Sequence, residues 1–158
     1  MSMNDIDVRR IKALSEVGFS FERGGAHSSR TIMLDELNSL FAYVTQGDAQ
    51  KNEYLKAIVE DNCLAERSGK NRALTFRHLV DLYALDFRVV LFRALRFFWQ
   101  RDPDGRAMNA LLCAYARDSV LRSASKFIID TPKGATVARE AVEKIIDDSV
   151  ESSSQFGS

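Results

Sequence analysis

Cysteine, proline, glycine and histidine are all scarce in this chain, and formal net charge is absent. Two cysteines, Cys63 and Cys113, make neither a disulfide framework nor a zinc spacing, so the expected setting is reduced and cytoplasmic. Two prolines and eight glycines in 158 residues leave too little punctuation for an all-β chain. Basic and acidic side chains balance at 22 each, so any nucleic-acid surface has to be a local patch. No stretch approaches the roughly 20 apolar residues of a bilayer span. The most hydrophobic one, Val89 to Trp99, is broken by Arg93 and Arg96, and no membrane partner is expected. Met1 to Ser20 carries six charged side chains from Asp5 to Glu16 and so has no apolar signal-peptide core. His27 and His78 lack a Cys, Asp or His partner at ligand spacing, and no nucleophile stands beside a base. The residues therefore call for no metal, no cofactor and no enzyme.

What is present is 46% hydrophobic residues and 28% charged ones, enough for one ordinary domain or two small lobes sharing a core. Helical periodicity dominates. Asp5 to Val17 places Ile6, Ile11, Leu14 and Val17 on one side, and the GFSFERGGAHSS stretch from Gly18 then breaks the pattern. Thr31 to Val44 repeats Leu34, Leu37, Leu40 and Phe41 at three- and four-residue steps. Asp48 is an expected N-cap for a helix to about Asp61, with Tyr54, Leu55, Ile58 and Val59 inward. In the next stretch, Leu64 to Arg67 and Arg72 to Thr75 flank Ser68-Gly69-Lys70-Asn71, which is turn chemistry. Helix, turn, helix, basic hairpin is the order of a winged helix-turn-helix. The flanks are weak in β-branched residues, and an irregular basic loop is the alternative.

Beyond Thr75 every segment reads as helix. Thr75 caps one to Leu85, and Asp86 caps one to about Arg101. Asp102 to Gly105 is a turn. Ala107 to Ala116 follows with Met108, Leu111, Leu112 and Tyr115 apolar, then Ser119 to Ile129 and an amphipathic Thr136 to Val150. The fold expected is mainly α. It comprises a winged-helix-like lobe over 1–74, a bundle of about five helices over 75–151, and a flexible tail over 152–158.

Charge is unevenly placed. Between Arg67 and Arg101 eight basic residues face only Asp81 and Asp86, and arginine predominates, as suits bidentate phosphate contacts. On the helix after Asp86, Phe87, Leu91, Ala94 and Phe98 make the deepest expected stripe. Arg88, Phe92, Arg96 and Trp99 form a neighbouring one able to clamp phosphates and stack on bases. The competing reading is a central buried helix whose arginines snorkel or pair with Asp81, Asp86 or Asp118. In the helix after Asp48, Gln50, Lys51 and Asn52 are types that read base edges, although Glu53, Glu60 and Asp61 oppose close approach to phosphate. The RGGAH segment from Arg23 to His27 is a tight turn or, with its backbone amides, an anion contact.

Read together, FERGGAHSSRTIMLDEL (Phe21 to Leu37), NRALTFRHLVDLYALD (Asn71 to Asp86), LFRALRFFWQRD (Leu91 to Asp102) and LLCAYARDSVLRSAS (Leu111 to Ser125) carry a resemblance. The chain resembles the BrxA family, small accessory proteins of bacterial BREX phage-defence systems, from about Phe19 onward. The family has been likened to the all-helical RNA-binding antiterminator NusB, and winged-helix-like elements with double-stranded DNA binding are also ascribed to it. The resemblance assigns no catalytic residues. It implies a non-catalytic DNA-binding role beside other BREX proteins. The expected contacts are Arg67, Lys70 and Arg72 on phosphate, Gln50, Lys51 and Asn52 near the groove, and Arg77, Arg88, Arg93 and Arg96 extending the patch. RNA binding and an assembly adaptor that docks a protein partner are the alternatives.

Overall fold

The structure is a computed structural model that describes residues 3–21 and 32–144. The mainly α expectation holds. The helices are α1 (Met3–Val17), α2 (Leu34–Tyr43), α3 (Lys51–Leu55, running on as a π-helical turn Lys56–Glu60), α4 (Gly69–Tyr83), α5 (Val90–Arg101), α6 (Arg106–Arg117) and α7 (Ser119–Asp130). A further helix begins at 139, and the remainder of the segment expected to Val150 lies outside the described residues, as do the tail and Arg23 to His27. No helix of the described residues is long and apolar enough to cross a membrane.

One apolar core joins α2 through α6. Phe41 lies at its centre, with ring centroids 5.1 Å from Trp99, 5.9 Å from Phe92 and 6.3 Å from Tyr54. Leu37, Leu40, Ile58, Leu79, Tyr83 and Leu85 are fully buried around this cluster. The Tyr83 hydroxyl donates to the Ile32 carbonyl and ties the entry of α2 to the end of α4. The domain boundary expected after Leu74 falls inside α4, and the core draws on both sides of it. Antiparallel α5 and α6 pack across the Asp102–Gly105 turn, where the Asp102 carboxylate accepts the Gly105 amide (3.0 Å).

The expected basic hairpin does not form. Arg72 to Thr75 are helical, Leu64 to Arg67 are irregular, and the described residues contain no strand, so the winged-helix lobe lacks a wing. The reason is local capping. The Ser68 hydroxyl accepts the Asn71 amide (3.2 Å), an N-cap seven residues before the expected cap Thr75. The Thr75 hydroxyl instead donates to the Glu66 carboxylate (3.0 Å), and the Asn62 amide and carbonyl oxygen hold Glu66 from the other side. Ser68→Ala is accordingly expected to lower stability by about 1 kcal/mol, read as a shift in the urea midpoint with an unchanged slope.

The helix expected from Asp48 starts later, at Lys51, with the Glu53 carboxylate accepting the Gln50 amide (2.5 Å). Asp86 caps no helix. Its carboxylate accepts the Arg88 amide (2.9 Å) and guanidinium (2.7 Å), forming a tight turn that delays α5 to Val90. These hydrogen bonds from Arg88 hold the Asp86 carboxyl below the usual carboxylate range.

Candidate nucleic-acid interface

The expected stripes on α5 are exchanged. Phe92, Leu95, Arg96 and Trp99 face the core, whereas Ala94, Phe97 and Phe98 are exposed and Leu91 is half-buried. The arginine–aromatic series Arg88, Phe92, Arg96, Trp99 is therefore not a surface clamp. Arg96 is 3% exposed, and its guanidinium donates to the carbonyls of Val44 (3.0 Å) and Gln46 (3.1 Å) while lying 4.2 Å from the Phe41 ring centroid. Val44 ends α2, so the cation satisfies carbonyls at the negative end of that helix dipole. The buried-arginine reading holds for Arg96, with carbonyls as partners in place of the carboxylates expected.

What α5 does present is a groove of about 550 Å³ between its outer side and the turn at Gly47 and Asp48. Phe87, Val90, Ala94 and Phe97 supply apolar lining. Arg93 and Arg101 stand exposed along it, with Arg96 beneath and Asp48 the one carboxylate among the lining residues. The Arg101 guanidinium lies 3.8 Å from the Phe97 ring centroid and donates to the Phe97 carbonyl (3.2 Å). That of Arg93 lies 5.7 Å from Phe87. Each guanidinium is thus positioned by a ring while its outer edge stays at the surface, the geometry of a site for phosphate and for planar groups.

The sequence of α5 and α6 strengthens this field, since the two helices carry five arginines and no carboxylate. Arg106 donates to the Trp99 carbonyl (2.9 Å) and Arg117 to the carbonyls of Gly18 (2.7 Å) and Asp81 (2.9 Å). Together with Arg96, these serve the fold, which leaves Arg93 and Arg101 as the surface pair.

The remaining expected contacts divide into two sets. Gln50, Lys51 and Asn52 are exposed at the start of α3, and the Phe87 amide donates to Ala49 (3.3 Å), which brings that start beside the groove. Arg67, Lys70 and Arg77 are exposed around the first turns of α4, and none of them lines the groove. Arg72 is half-buried and turned inward, its guanidinium donating to the Val59 carbonyl (2.8 Å) at the end of the π-helical turn. A phosphate contact from Arg72 is corrected to a structural one. Arg88 is exposed but bound to Asp86, and it lines a different depression with Glu16, Phe19 and Arg117.

Sequence reasoning left Phe97 and Arg101 out of the candidate contacts. Their i, i+4 spacing was the available signal, because residues so placed meet on one helix face. His78 is buried on α4. Burial pushes the Cys113 thiol up to about 12 and raises that of Cys63, so both stay protonated at neutral pH. Among the described residues no group of three His, Cys, Asp or Glu side chains is arranged to hold a metal ion. No family model, curated protein or solved structure matches the chain.

Proposed function

We propose that this chain is a non-catalytic nucleic-acid-binding protein, with double-stranded DNA as its ligand, acting as an accessory of a bacterial BREX phage-defence system. The observation that carries the binding reading is the groove in which Arg93 and Arg101 are each set against an aromatic ring. A guanidinium prepositioned by its ring loses less rotamer freedom on meeting a phosphate than a free lysine does. Gln50, Lys51 and Asn52 at the neighbouring start of α3 supply further polar contacts. The defence assignment rests on the resemblance of the four sequence stretches to the BrxA family. Three of them correspond to α4, α5 and the α6–α7 junction.

The competing reading is an adaptor that docks a protein partner through the same arginine and aromatic surface, and composition favours neither. Salt separates them. Titration of the purified chain against duplex DNA, single strands and RNA at two salt concentrations is expected to show duplex binding that falls steeply as salt rises. Salt-insensitive capture of protein with no affinity for duplex would favour the adaptor. Tighter binding to RNA than to duplex would reassign the ligand.

A further inference from the structure

Helix α6 is built inside out. It buries its small side chains, Ala110, Cys113 and Ala114, and shows its large ones, with Met108 59%, Leu111 39%, Leu112 57% and Tyr115 38% exposed. The small side allows close approach to α4, as the Cys113 Sγ contact with the Leu82 carbonyl (3.9 Å) shows. A helix that is apolar on both sides belongs in an interior. Within the described residues the outer side of α6 has no cover. On α5, Phe98 is exposed as well, its ring edge-on to Phe97 at 5.3 Å.

A second uncovered apolar surface belongs to the same chain. Every described side chain of α1 from Asp7 to Val17 is exposed, including Val8, Ile11, Leu14 and Val17. The helix is held at its end alone. Gly18, at φ 115°, lies so close to Val89 and Leu91 that a Cβ would meet Val89 at 2.5 Å. The Ser20 amide donates to Ala116 (3.2 Å), Arg117 binds the Gly18 carbonyl, and Arg122 binds that of Ser20 (2.6 Å). These partners sit at the start of α5, the C-terminal end of α6 and the first turn of α7, so α1 leaves from the end of the apolar face. A helix of this length is marginal in water unless something covers it.

We propose that two copies of this chain exchange α1, each laying the apolar ridge of its α1 on the α5–α6 face of the other. The residue spacing fits. Val8, Ile11, Leu14 and Val17 form one ridge of three-residue steps, and Met108–Leu112 and Leu111–Tyr115 form ridges of four-residue steps, the pairing that packs helices nearly parallel. The lengths fit as well, roughly 22 Å for α1 against roughly 18 Å for α5 and α6. By projected area, α1 covers roughly 220 Å² of the face and buries as much of its own side, so the two contacts of an exchange bury roughly 900 Å² in all. That approaches the roughly 1,000 Å² of a specific interface, whereas a single contact buries only half as much.

Light scattering after size exclusion, without nucleic acid, is expected to give the mass of two copies for the parent. Leu112→Asp and Ile11→Asp should each give one copy, with the fold of α2 to α7 retained because both positions are exposed, and with helical signal lost only so far as the released α1 unravels. In a Cys63→Ser background, a Leu14→Cys chain mixed with a differently tagged Leu112→Cys chain should form a disulfide between copies. A parent with the mass of one copy at every concentration would overturn the exchange. So would a Leu14→Cys/Leu112→Cys chain that closes within itself, or a Leu112→Asp variant that still pairs. Each of these results is independent of DNA affinity, so the nucleic-acid reading stands or falls separately.

Discussion

Arg96→Ala is expected to destabilise the fold by about 3 to 5 kcal/mol, among the largest losses available to a single substitution here. Two hydrogen bonds from a charged donor are lost, and the Val44 and Gln46 carbonyls are left without that partner at the end of α2. Each such bond contributes about 1.5 to 3 kcal/mol, and the stacking on Phe41 adds to them. The removed side chain also leaves a void beneath the groove. Urea unfolding followed by circular dichroism measures the loss directly. Arg96→Lys should recover only part of it, because the ammonium ends one bond short of the Nη2 that reaches both carbonyls and has no planar face to lie on the Phe41 ring. If Arg96→Ala melts like the parent, Arg96 is not the strut between α5 and the end of α2.

Phe41→Ala is the second large case, with an expected cost of about 3 to 5 kcal/mol for emptying a buried aromatic site. Phe41 touches Tyr54, Phe92 and Trp99 edge-on or tilted and receives the Arg96 guanidinium on its face. It therefore joins α2 to both α3 and α5. The two losses should not add. In a double-mutant cycle, Phe41→Ala with Arg96→Ala is expected to fall short of the sum by about 1 to 2 kcal/mol, since each single change already removes the shared contact. Full additivity would mean that ring and cation act independently despite the 4.2 Å separation.

The same residues show what could be read in advance. The helices of α2, α5, α6 and α7 and the Asp102–Gly105 turn follow from periodicity and turn chemistry, and their ends fall within a few residues of expectation. The rotation of α5 and α6 about their own axes does not follow. Both helices carry large apolar side chains on two sides, so a 3.6-residue pattern fits either phase. Packing decided it. Alanines and a cysteine let α6 come close, and Arg96 found carbonyls contributed by a loop about fifty residues away.

The Ser68–Asn71 stretch failed for a different reason. Serine and asparagine serve equally in a turn and in an N-cap, and local sequence does not say which neighbour will supply the next hydrogen bond. Arg72 illustrates the point, since the carbonyl it serves belongs to a π-helical turn that no pattern announced. Of the expected contacts, Arg93 lines the groove at the surface and Arg96 from beneath, and the exposed start of α3 lies beside it. The i, i+4 spacing of Phe97 and Arg101 was legible, but which side of α5 carries the pair depends on how the helix packs.

The account's central claim is that the α5 groove meets a polyanion through Arg93 and Arg101. Its most direct test is the Arg93→Ala/Arg101→Ala variant, titrated with duplex DNA across a salt series beside the parent. The expected result is weaker binding at every sequence, a salt slope flatter by about two units, and a melting temperature close to that of the parent, because exposed cations contribute little to folding. A double variant that binds duplex as tightly as the parent, with the same slope, would contradict the claim.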